Sequence, residues 1–174
     1  MSLSDKLARY YPGAEWTLNG DDYTGLTWFG PDNKPTEQEL ADLDFAMAKD
    51  AKKTAINAKL ETVLTSGFTV PSGTMAGKVL QTRNLEDHTN WLISQASYSA
   101  AVAMGRGAVE GATFRTTDNS TFTVSFSEGL SVLLAMAAWG AAAMNNSWSL
   151  KDAVATAEDL TALDAVDIEA GWPE

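Results

Sequence analysis

Residues 35–67 read PTEQELADLDFAMAKDAKKTAINAKLETVLTSG, and this stretch decides the fold class. Thr36 stands three residues before Glu39. Its hydroxyl can accept from the Glu39 amide while the Glu39 carboxylate reaches back to the Thr36 amide. This reciprocal pair predicts a helix start. Gly67 supplies the left-handed conformation that ends such a helix, so the helix is expected to run to Ser66. A helix of about thirty residues is roughly 45 Å long. Its apolar stripe is read as Leu40, Leu43, Met47, Ala51, Ala55, Leu60, Val63 and Leu64, narrow at first and wider near the end. A rod this long in a chain of 174 residues should project beyond its own domain. Leu40, Leu43 and Met47 are therefore candidates for contact between copies.

On the N-terminal side, Tyr10 to Phe29 reads as a hairpin. Trp16 and Leu18 alternate with polar residues, Asn19-Gly20 is a turn signal, and Tyr23 to Phe29 returns rich in aromatics. Gly30-Pro31-Asp32-Asn33 breaks the pattern. Two strands alone are marginal in water, so the hairpin must lean on its own chain or on a partner. It is too short to bury Trp16, Tyr23, Trp28 and Phe29 between its own strands. Trp and Tyr dominate protein interfaces, so these four are the candidate partner-binding residues.

On the C-terminal side, Phe68–Val70 and Lys78–Arg83 flank a Pro71-Ser72-Gly73 turn. Asn84 then opens a helix carrying Trp91, Leu92, Ala96 and Val102. A second hairpin is predicted from Thr113–Thr116 and Thr121–Val124 around Asp118-Asn119. Ser125 and Glu128 form a second capping box before the apolar helix Leu130–Met144. A last helical stretch, Leu150–Ile168, is expected to break near Ala157–Asp159. Trp91, Trp139 and Trp148 belong to the predicted core. The fold class is α+β: an N-terminal β-hairpin module (1–34), then a mainly helical domain (35–174) with two inserted hairpins.

Composition narrows the function classes. Hydrophobic residues are 45% and charged residues 20%, values of a soluble globular chain. With no cysteine, disulfides, thiolate nucleophiles and Cys-ligated metals are excluded. The start Met1-Ser2-Leu3-Ser4-Asp5 lacks the basic-then-apolar pattern of a secretory signal. Leu130–Met144 is shorter than the roughly 18–20 residues a bilayer span requires. Residues 1–50 and 150–174 each carry a net −6, and residues 51–149 carry +1. Acidic ends around a neutral centre argue against nucleic acid and anionic membranes as partners.

Groups that could carry chemistry have simpler readings. Gly105-Arg106-Gly107 to Gly111 follows a helix and precedes a strand, the wrong polarity and spacing for a phosphate loop. His88 is the sole histidine, and its neighbours Glu86 and Asp87 do not share its helix face. Asp21-Asp22 and Asp42/Asp44 are carboxylate pairs of the kind an acidic chain produces by chance. Asp118-Asn119-Ser120 lacks a calcium-loop ligand series and reads as a turn. The expectation is no enzyme, no cofactor and no metal.

Several blocks carry a family resemblance. They are Lys52–Leu64, Gly67-Phe68-Thr69-Val70, Gly77–Arg83, Asn90-Trp91, Phe114–Asn119 and Trp148–Ala153, in that order. Over residues 50–168 the chain resembles a domain of unknown function common in phage and prophage tail-region proteins, often described as tail fibre assembly proteins. The N-terminal hairpin followed by Pro35-Thr36 and Glu39-Leu40 resembles the entry of short tail-assembly proteins. The resemblance brings no catalytic residues. It implies a tail fibre assembly chaperone that binds a phage tail fibre protein, acts as a homotrimer and works in the host cytoplasm during phage assembly. The alternative it leaves open is a structural virion protein retained on the tail or fibre.

Overall fold

The computed structural model describes residues 2–30 and 33–173. The first element is a helix, α1 (Leu3–Tyr10), which is not among the elements expected from the sequence. Its signal was present: Ser2 Oγ accepts from the Asp5 amide and the Asp5 carboxylate accepts from the Ser2 amide, each at 3.2 Å. Leu3 and Leu7 form its buried side. The expected hairpin follows as β1 (Trp16–Leu18) and β2 (Leu26–Trp28), antiparallel, with Trp16 opposite Trp28 and Leu18 opposite Leu26. Asn19-Gly20 does not close it as a two-residue turn. The loop runs on through a 3-10 turn at Tyr23–Gly25, where the Asp22 carboxylate caps the Gly25 amide at 3.1 Å.

The long helix forms as α2 (Glu37–Thr65). Both halves of its capping box are present: the Glu39 amide donates to Thr36 Oγ1 at 3.1 Å, and the Thr36 amide donates to Glu39 Oε2 at 2.6 Å. Gly67, at φ +102°, ends it. The first short hairpin is β3 (Phe68–Thr69) with β4 (Val79–Leu80), and α3 (Leu85–Ala103) starts at its Asn84 cap. The second is β5 (Glu110–Arg115) with β6 (Thr121–Ser125). An isolated bridge between Leu80 and Thr116 ties the two hairpins together.

Helix α4 (Phe126–Thr156) is twice the length expected, absorbing residues that were assigned to a separate final helix. It is long and apolar enough to cross a bilayer by those measures alone. In this fold it packs along α2 and α3. Ser125 caps it, but Glu128 does not reach back as a capping-box partner. Its carboxylate instead accepts from the Thr74 amide at 2.6 Å and the Thr74 hydroxyl at 3.2 Å, binding the first hairpin loop to the start of α4. After the expected break, Asp159 caps a short α5 (Leu160–Asp164).

Three apolar clusters result among the described residues. Leu3, Leu7, Leu26 and Leu40 make the N-terminal one. Ile56, Val154, Ala157 and Leu163 join the middle of α2 to the ends of α4 and α5. Phe68, Val70, Leu80, Tyr98, Phe114 and Trp139 belong to the largest, which also receives Val63 and Leu64 from the end of α2. Helix α2 therefore runs through all three. Its most buried residue, Ile56, was absent from the predicted stripe, whereas Ala51, which was included, is exposed. Thr82 and Thr116 are buried but bonded, Thr82 Oγ1 accepting from the Gly67 amide at 3.1 Å.

Candidate protein-binding surfaces

The aromatic residues of the N-terminal module are divided between core and surface. Trp16, Tyr23 and Trp28 are half-buried and pack on the cluster of Leu3, Leu7, Leu26 and Leu40. Trp28 meets the Tyr11 ring edge to face at 5.5 Å. The Tyr23 hydroxyl donates to the Pro35 carbonyl at 2.8 Å, and Lys34 Nζ stands 4.2 Å over the Tyr23 ring. Phe29, just past β2, is 60% exposed. The module is thus a helix and hairpin folded on the first turns of α2, with Leu40 and Leu43 in its cluster. An ion pair between Lys6 and Asp44 adds to the same joint. Among the described residues, β1 and β2 pair only with each other. The outer side of β2 is occupied at Leu26, whose amide donates to the Tyr23 carbonyl and whose carbonyl accepts from Lys34 Nζ at 2.7 Å, so the edge left unpaired by the sheet is that of β1.

Of the three residues expected at a contact between copies, two pack on the protein's own N-terminal cluster. Leu40 is 4% exposed. Leu43 packs on the same cluster, and Met47 is half-buried one turn further on. The free apolar surface lies elsewhere, on α3 and α4. A groove of about 340 Å³ runs between these helices and the end of α2, lined by Leu64, Trp91, Leu92, Met136, Gly140 and Met144. Trp91 Nε1 donates to the Gln81 carbonyl at 2.7 Å, which fixes the indole as one wall. Trp148, assigned to the core, is 54% exposed.

His88 and several of the carboxylates are engaged within the fold. His88 Nε2 lies 3.1 Å from the Thr82 carbonyl at the rim of the groove. Asp21 accepts from the Leu3 amide at 2.8 Å at the start of α1, and Asp42 accepts from Gln38. The Arg83 guanidinium, donating Nε and Nη2 at 2.9 and 3.1 Å, holds the Asp87 carboxyl below its ordinary range. The Asp118 carboxyl is held well below the carboxylate range by the Thr116 hydroxyl, the Ser120 amide and Lys78. Gly105–Gly107 makes the expected connection between α3 and β5, where the Arg106 amide donates to the Ala101 carbonyl at 2.9 Å.

Residues 47–170 match the family described as Domain of unknown function (DUF4376). The chain belongs to that family. The DUF4376 stretch begins inside α2 and takes in the two C-terminal clusters almost entirely. Helix α1, the β1–β2 hairpin, Leu40 and Leu43 all precede it. Neither a curated protein nor a solved structure matches the chain.

Proposed function

We propose that this DUF4376 protein is a phage tail fibre assembly chaperone, a non-enzymatic protein that binds a tail fibre and assists its folding and trimerisation. The observation that carries the reading is the separate N-terminal module. It precedes the family stretch, has its own small core, leaves the outer edge of β1 unpaired by its sheet and exposes Phe29. A fibre chain before trimerisation exposes strand edges and apolar surface that aggregate. A short two-stranded sheet can pair with such an edge through main-chain hydrogen bonds, with aromatic side chains supplying selectivity. The resemblance to tail-region proteins gives the reading its partner. A homotrimer, matching a three-fold fibre, and action in the host cytoplasm complete the proposal.

Co-expression with a phage tail fibre protein tests this. The expected result is a soluble fibre that co-purifies with the chaperone, and loss of the complex when Phe29→Asp is introduced without loss of helical signal. Removing the Phe29 contact should cost on the order of 1–4 kcal/mol of binding. A fibre that is equally soluble and trimeric without this protein, with no complex on sizing, would overturn the proposal.

A further inference from the structure

On α4, Leu134, Ala137, Ala138, Ala141 and Trp148 recur at helical spacing and are all exposed. On α3, Leu85, Leu92, Ala96 and Ala103 do the same. Leu92 is 67% exposed and Leu134 51%. Leu92 and Ala137 line opposite sides of the same groove, so the two stripes flank one face of the molecule. A Cβ at Gly140 would meet nothing within 4 Å, so the groove floor is open there.

We infer that this α3–α4 face is where a second copy of the chain docks. Three observations select that occupant. The first is charge: the chain carries −11, yet no charged side chain occurs from Thr89 to Gly105 or from Gly129 to Leu150. A second copy brings the same uncharged surface, so two strongly acidic chains meet there with least repulsion. The second is shape. The face carries both a concave apolar groove and convex apolar side chains, Leu134 and Trp148, so one copy supplies what another lacks. The third is area. Two adjacent helices about 30 Å long and 10 Å wide offer about 600 Å² per copy, which reaches the roughly 1,200 Å² total of a stable interface. This assigns self-association to α3 and α4 and stands independently of any fibre.

Sedimentation equilibrium of the full chain, with and without Leu92→Glu plus Trp148→Glu, is the test. The wild type should sediment as an assembly of two or more copies at tens of micromolar, and the double variant as a monomer with unchanged helical circular dichroism. Thr62→Glu, an exposed change elsewhere on α2, should keep the wild-type mass. A wild type that stays monomeric over this range overturns the inference, as does a folded variant that keeps the wild-type mass. If the double variant is unfolded, Ala141→Glu replaces it, with the same two outcomes. A wild-type monomer that pellets with neutral phosphatidylcholine vesicles would assign the face to a membrane, and a wild-type monomer captured by the fibre through this face would assign it to the fibre. Loss of self-association with fibre binding intact leaves the chaperone proposal standing.

Discussion

Leu40 and Ile56 lie on the same unbroken helix and are buried on nearly opposite sides of it. Sixteen residues at about 100° each place them roughly 160° apart around the axis. Leu40 enters the N-terminal cluster, and Ile56 enters the cluster formed with Val154 and Leu163. Ile56→Ala should therefore destabilise the family domain by about 2–5 kcal/mol. Leu40→Ala should loosen the N-terminal module while leaving most helical signal in place. Urea titrations followed by far-ultraviolet circular dichroism and by tryptophan fluorescence separate the two. Equal loss in both signals for Leu40→Ala would show that the module has no stability of its own.

Residues 47–173 without the preceding module should fold. The fragment retains Ile56, Val154 and Leu163 and the whole of the largest cluster. A cooperative thermal transition with strong helical signal is the expected result. A molten fragment that binds a hydrophobic dye would mean that α1 and the first turns of α2 complete the main core.

Ser147 is fully buried, and its hydroxyl has no hydrogen-bond partner among the described residues. A buried polar group without a partner lowers stability by its desolvation. Ser147→Ala should therefore leave stability unchanged or raise it by about 1 kcal/mol, read from the urea midpoint. A clear loss would reveal a partner for the hydroxyl, such as a bound water.

Stability should fall with acid on account of Asp118 and Asp87. The Thr116 hydroxyl is the chief cause for Asp118 and the Arg83 guanidinium for Asp87. Both carboxyls titrate lower in the folded chain than in the unfolded one, so the unfolded chain binds more protons as pH drops. Their contribution is complete above the unfolded value of about 3.9 and is lost as pH falls toward the folded values. The urea midpoint should be flat with respect to these groups above about pH 5 and decline below it. Asp118→Asn should make that decline shallower. An identical acid limb in wild type and variant would show that Asp118 contributes nothing to it.

The helix ends were legible because caps are local chemistry. Thr36 with Glu39, Asn84, Ser125, Gly67 and the break before Asp159 were all readable within a few residues. The phase of α2 was not legible, because a single stripe was assumed for a helix that buries two faces. Leu40 and Leu43 serve one cluster, while Phe45, Ala48 and Ile56 serve another. Glu128 satisfied the local capping pattern, yet tertiary packing brought Thr74 within reach, and the carboxylate pairs there instead. The hairpin aromatics were found as a group, but their division between core and surface depended on α1, which was overlooked. The α3–α4 groove has no linear signature, since Leu92 and Ala137 meet only after the two helices pack.

The passage of α2 from one cluster to the next without a hinge makes the two ends of the molecule angularly locked. Inserting or deleting one residue between Met47 and Ile56 would turn the N-terminal head by about 100° relative to the body and shift it by about 1.5 Å. Grafting a different head onto this body is therefore subject to a reading-frame rule of its own. Junctions that add or remove four or seven residues come within about 40° of the original orientation, whereas those of one, two or five aim the head away from any target aligned with the body.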